Sequence, residues 1–232
     1  MNILNTCKTL SAFIFFGPLC FAQYQFEVKD ASKNYTVVIQ SENCSDGSCM
    51  GKGTVDLFDN NNTKVQSFVS DDLVINLEQG QKLSPGKRIE LNKDQRPVII
   101  DDFNFDGTED IAIRNGNMGN YHSASYDVYV FNSTRMSFVK SKELTELASD
   151  GFDFFEVDSK RKRLIMSGKS GCCDLFTTEY AVIPNKGLEK VLEKEVDMTQ
   201  EDHVKVITKE KIKNKWVTKT KVYTSEQYNK EK

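Results

Sequence analysis

The sequence predicts an all-β protein of short antiparallel strands, a small or irregular propeller-like meander, with one short helix near 141–149. Three observations predict it. Apolar residues recur at every second position in roughly eleven segments; those segments are rich in Val, Ile, Tyr, Phe and Thr; and Asn, Asp, Gly and Lys clusters separate them. No internal repeat is visible, and at roughly 40–45 residues per four-stranded blade the chain holds at most about four or five.

In chain order the segments are "YTVVIQ" (35–40), "TVDLFD" (54–59), "KVQSFV" (64–69), "LVINL" (73–77), "PVII" (97–100), "DIAI" (110–113) and "YDVYVF" (126–131). "RLIMS", "TTEYAVI", "VKVIT" and "KWVTKTKVY" follow. "LFDNNNTKV" predicts a hairpin, since asparagine tolerates positive φ in the turn, and "TKEKIKNKWV" predicts another. The helix is predicted from "SKELTELASD": Ser141 offers an N-cap, Leu144 and Leu147 share a face, and Asp150-Gly151 ends it.

The first 22 residues have the form of a secretory signal peptide. Lys8 supplies a positive start, Leu10 to Phe21 is apolar but short, and Cys20 and Ala22 are small residues at the −3 and −1 positions of a cleavage site. Leu19 before Cys20 does not suit a lipoprotein signal. The expectation is a single exported domain, residues 23–232, in the periplasm. No later run is apolar for long enough to span a membrane. Losing Lys8 leaves 30 basic against 34 acidic residues, about −4, a balance that argues against a nucleic-acid partner.

That charge is unevenly placed. The 30 residues from His203 onward contain nine lysines and three glutamates, a net +6, and begin with a predicted hairpin at 203–224. Lysines alternating with Val, Ile, Trp and Tyr fit the solvated face of an edge hairpin, where they discourage edge-to-edge pairing. An acidic partner or an anionic envelope surface is the other expectation.

Four cysteines remain after export: Cys44, Cys49, Cys172 and Cys173. An oxidising compartment makes two disulfides the expectation. Local pairing within "CSDGSC", with a vicinal "CC" pair, and long-range staples to the 170s both stay open. Two histidines and this spacing do not suit zinc.

The acidic stretch "DDFNFDGTEDIAI" (101–113) is the most specific signal. Counted from Asp102, positions 1, 3, 5 and 9 are Asp102, Asn104, Asp106 and Asp110, and Gly107 stands at position 6. A hard cation such as Ca²⁺ takes six to eight oxygens, which alternate residues of a tight loop can aim inward, with glycine permitting the sharp turn. Thr108 would add its carbonyl. Ile113 stands where an EF-hand needs glutamate, so Asp110 is expected to close the sphere. Phe103 and Phe105 are expected to pack beneath the loop.

The loop, then "YDVYVFN", "FVKSKELTEL" and "GCCDLFTTEYAVI", resemble in order and spacing a family of bacterial periplasmic proteins that inhibit lysozyme-like peptidoglycan hydrolases, immunity proteins among them. The loop itself is similar to FG-GAP (integrin-type) calcium-binding propeller repeats. The resemblance covers about residues 95–195. It implies a propeller-like all-β fold, a calcium site at Asp102, Asn104, Asp106, Thr108 and Asp110, and a peptidoglycan hydrolase of the envelope as partner. Many of the family's members are lipoproteins, whereas the sequence here shows no lipobox.

A hydrolase presents a cleft with catalytic carboxylates, so an inhibitor needs a loop bearing donors and an aromatic ring. "RNGNMGNYHSASY" (114–126) is the candidate, with Asn120, Tyr121, His122 and Ser123 near its middle, its base expected to be braced by the calcium site. A calcium-stabilised glycan- or protein-binding module without inhibitory activity is the alternative. Catalysis is not expected: His122 and His203 are the histidines available, and no GxSxG elbow is present.

Overall fold

The computed structural model describes residues 24–45, 47–84, 86–184 and 186–231. The signal-peptide expectation for 1–22 lies outside the described residues. Among those described, no helix is long and apolar enough to cross a membrane.

Alternation dictates three sheets. The first holds β1 (Tyr24–Val28), β2 (Tyr35–Ser41), β3 (Cys44–Ser45), β4 (Ser48–Asp59), β5 (Lys64–Asn76) and β6 (Arg88–Leu91), in the order β3-β4-β2-β1-β6 with β5 also paired to β4. All its ladders are antiparallel except β1 with β6. The second is a four-stranded meander of β7 (Val98–Asp101), β8 (Asp110–Arg114), β9 (Tyr126–Asn132) and β10 (Ser137–Lys140). The third runs in sequence order through β11 (Glu156–Asp158), β12 (Arg163–Ser170), β13 (Asp174–Ile183), β14 (Gly187–Asp197), β15 (His203–Ile212) and β16 (Lys215–Thr224). The protein is all-β with short helices. Only the second sheet has the size and meander of a propeller blade; its six-stranded neighbours are not equal repeats of it.

The second sheet sits between two cores. Ile111 and Ile113 of β8 join Phe26, Ile39, Leu57 and Ile75 of the first sheet, while Ala112 joins Tyr126, Val128, Leu147, Phe154 and Leu164 on the other side. Strand β8 is therefore buried on both faces, which is why Ile111 to Ile113 are apolar in succession rather than alternating. Helix α1 (Lys142–Ser149) covers the second core with Leu144 and Leu147, and Ser141 caps it by accepting the Leu144 N–H. A third, smaller core of Val196, Val204 and Val206 is closed by α2 (Ser225–Glu231), whose Tyr228 meets Tyr223.

Both predicted hairpins form, with positive φ at Asn62 in one turn and at Lys213 and Asn214 in the other. One expectation changes, and two elements had no prediction. "KVQSFV" and "LVINL" are one strand, β5, which passes Ser70 to Asp72 by a register shift opposite Gly51 to Gly53. "GLEKVLEKEVD" forms β14, though its Leu and Val spacing and its Glu/Lys content favour a helix; paired neighbours on both sides override that preference. Helix α2 had no sequence counterpart. The cysteines pair locally, Cys44 with Cys49 across β3 and β4, and Cys172 with Cys173 as a vicinal pair.

Candidate metal loop and tyrosine loop

Residues 102–109 close the β7–β8 hairpin, where Asp101 pairs with Asp110. Phe103 is fully buried and packs on Phe154 and Phe155, at 5.3 and 5.5 Å between ring centroids; Phe105 packs half-buried on the same core at positive φ. The apolar residues thus pin the loop from below, as alternation predicts.

Above them the polar side chains order the backbone. Asp102 accepts the N–H groups of Asp106 (3.0 Å) and Gly107 (2.9 Å) on its two oxygens. The Asn104 carbonyl oxygen also accepts from Asp106 N–H, and its amide donates to Asp106 Oδ2. Asp106 Oδ1 takes both the N–H and the hydroxyl of Thr108. Partial burial works against the Asp106 carboxylate, but these Thr108 and Asn104 donors together hold its pKa below the usual carboxylate value. Gly107 supplies the positive φ the turn requires.

Asp110 is placed differently. It is fully buried beneath the loop: Oδ2 accepts from Phe103 and Asn104 N–H, and Oδ1 accepts from Phe131 N–H on β9. Burial pushes its pKa up to about 7; the Phe131 and Phe103 N–H bonds oppose the rise, and repulsion from Asp106 and Asp102 adds to it. Among the described residues no three His, Cys, Asp or Glu side chains converge as a ready ligand cluster. At this loop Asp102 and Asn104 are half-exposed and Asp106 is exposed, and each keeps at least one oxygen lone pair beyond those its donors use. That set suits a hard cation, with Asp110 as a charge below it.

Glu109, which sequence analysis passed over, ties the loop to the first sheet. Its Oε2 accepts from Ser32 Oγ at 2.7 Å and from the Asn34 amide at 2.9 Å. Ser32 and Asn34 lie some 75 residues away, so no local pattern could have marked them. A cleft of about 330 Å³ opens beside the loop between Asn34, Tyr35, Asp102, Thr108, Glu109 and Phe131.

The second predicted loop follows β8 at the other end, so the expected bracing of its base by the acidic loop does not hold. Five strand residues, roughly 15 Å, separate them. Arg114 holds the base instead: its buried guanidinium donates to Asn117 Oδ1 and the Gly116 carbonyl, and its own carbonyl accepts from Ser70 Oγ. Asn120 donates to the Asp150 carbonyl at 2.6 Å, and Ser123 Oγ to that of Gly151 at 3.1 Å.

Between these anchors Tyr121 and His122 both adopt positive φ, 57° and 61°. Non-glycine residues in this region cost free energy and persist where surrounding contacts fix them. Tyr121 is 62% exposed yet oriented. Its ring lies 5.4 Å from Phe152, its hydroxyl accepts from Gly171 N–H at 3.3 Å, and Lys169 Nζ sits 5.3 Å from both rings. The sequence named Asn120, Tyr121, His122 and Ser123; Phe152, Lys169 and Gly171 come from 30 to 50 residues further along the chain.

Fold and loops together define a disulfide-bearing, all-β protein with one acid-rich turn and one rigidly presented tyrosine loop. No protein-family model matches the sequence, and no curated protein does. A solved structure of a Xanthomonas type IV secretion system related protein has a similar fold, with a TM-score of 0.62 over 82% of this chain and 90% of that one, at 17% identity.

Proposed function

We propose that the protein is an exported, calcium-binding inhibitor of a lysozyme-like peptidoglycan hydrolase, of the immunity type, acting in the periplasm by binding rather than by catalysis. The observation that carries this reading is the fixed presentation of Tyr121. An exposed aromatic ring, held in a strained backbone and flanked by Lys169, brings an apolar face, a hydroxyl donor and a positive charge to one point. A glycosidase cleft lined by two carboxylates is complementary to that combination. The fold shared with a secretion-system related protein suits an envelope setting.

Deleting residues 116–124 is expected to abolish inhibition of a muramidase in a cell-wall clearing assay while the wild-type chain slows clearing in proportion to its concentration. Equal inhibition by both chains would overturn the loop's role. Glycan binding without any effect on hydrolase rate would favour the non-inhibitory module instead.

The acidic loop is proposed to hold Ca²⁺ through Asp102, Asn104, Asp106 and the Thr108 carbonyl, with Asp110 supplying charge from beneath. Titrating calcium into chelator-treated protein is expected to release or absorb heat at one site per chain and to raise the melting temperature by several degrees, as a ligand at a hundred times its Kd adds about 2.7 kcal/mol. Asp102→Ala together with Asp106→Ala should remove both effects. An unchanged melting curve in calcium would refute the site.

A further inference from the structure

The β15–β16 hairpin is not used by either loop. From Leu192, which pairs with Glu210, strand β14 covers one side of β15, but the turn end beyond Glu210 has no such partner and β16 is the free edge of its sheet. At that turn end three large apolar side chains stand in solvent: Ile212 at 41%, Trp216 at 46% and Val217 at 38% exposure. They alternate with lysines. Residues 209–219 contain five lysines and one glutamate, a net +4. Glu189 holds Lys211 at 2.8 Å and Glu193 reaches Lys209 at 3.8 Å, whereas Lys213, Lys215 and Lys219 have no acidic partner among the described residues.

Edge protection accounts for the lysines but not for the exposed Trp, Ile and Val, which work against it. The register adds a second constraint. Trp216 lies opposite Lys211 on one face of the ribbon, while Val217 lies opposite Glu210 on the other. A flat protein surface can cover one of these faces and leaves the other wet. A lipid interface surrounds a two-stranded tip on all sides, takes Trp at headgroup depth, and attracts lysines when it is anionic.

We propose that the tip of this hairpin, Ile212 to Val217, is a peripheral anchor that inserts into the interface of an anionic bilayer, with Lys213, Lys215 and Lys219 in contact with its headgroups. The anchor is independent of the inhibitor reading: it would place the protein at a membrane surface whatever the tyrosine loop binds. Helix α2, with Tyr228 against Tyr223, closes the opposite end of the hairpin and keeps it attached to the sheet.

Trp216 is the only tryptophan in the chain, so its fluorescence reports the tip alone. The chain from Gln23 onward is mixed with vesicles of phosphatidylglycerol and phosphatidylethanolamine, and in parallel with vesicles of phosphatidylcholine. Expected are co-sedimentation with the anionic vesicles only, a blue shift of Trp216 emission, protection from a soluble quencher, and release by salt. Replacing Lys213, Lys215 and Lys219 together by glutamine should weaken partitioning on the order of a hundredfold, at about fivefold per lysine. Trp216→Ser should weaken it while leaving the melting curve unchanged, because the residue packs on no core.

Absence of binding to anionic vesicles overturns the proposal. So does binding to a soluble polyanion and to vesicles alike with Trp216 emission unmoved, which would make the hairpin a polyanion site. A lipid-independent blue shift that grows with protein concentration would also overturn it, assigning the tip to a second copy of the chain.

Discussion

Asp110→Ala is expected to destabilise the protein by about 3–5 kcal/mol, the largest effect of truncating any polar side chain in the acidic loop. The carboxylate accepts three backbone N–H groups, from Phe103, Asn104 and Phe131, and it is fully buried. Alanine leaves these donors without partners, at about 1–3 kcal/mol each, partly offset where water reaches the loop. The change also cuts the tie between the β7–β8 connection and β9. It should read as a urea midpoint lowered by roughly 1–2 M, given a slope of about 2–3 kcal/mol per molar for a domain of this size. Asp102→Ala is the control. Its side chain is half-exposed and its N–H partners can turn to water, so stability should fall by less than about 1 kcal/mol, while the proposed calcium affinity should be lost. If the two variants melted alike, Asp110 would be one more ligand rather than the structural centre of the loop.

That distinction was not legible in the sequence. The DxNxDGxxD spacing placed Asp110 with the other acidic residues, because a pattern carries no information on which side of the backbone a carboxylate ends up. What decides it is β9: Phe131 N–H lies over the end of β8 and draws Asp110 inward, and this partner is 21 residues away. The same boundary between local and long-range information runs through the fold. Strands rich in β-branched and aromatic residues, such as β2 and β9, were read correctly, as were the Asn-rich hairpin turn and the Ser141 cap. Strand β14 drew no prediction, because Leu188, Val191 and Leu192 with intervening Glu and Lys lack a period-two pattern, and only pairing to β13 and β15 makes them a strand. The parallel pairing of β1 with β6 joins residues more than 60 apart, with no local signal at either. Around Tyr121 the loop itself stood out by its Gly and Asn content, whereas Phe152, Lys169 and Gly171 reach it only through the folding of the third sheet.

Those long-range neighbours decide what Tyr121 can do, and Tyr121→Ala is expected to weaken hydrolase inhibition at least about thirtyfold, the loss that accompanies removal of an interfacial hot spot worth some 2 kcal/mol or more. The ring is already positioned by Phe152 and Lys169, so little ordering cost is left for the moment of binding. Its hydroxyl accepts from Gly171 N–H, which leaves the phenolic proton free to donate to a carboxylate. Tyr121→Phe keeps the ring and removes that donor, and a loss of roughly tenfold or less is expected from it. Tyr121→Gly separates function from stability. It removes the side chain but relieves the strain of a non-glycine residue at φ 57°, so inhibition should vanish while the melting temperature holds or rises. Inhibition constants and melting curves measured on these three variants answer independent questions. Unchanged inhibition by Tyr121→Ala would remove the loop from the mechanism, whereas a fall in melting temperature for Tyr121→Gly would show that the ring's contacts with Phe152 and Lys169 outweigh the backbone strain they maintain.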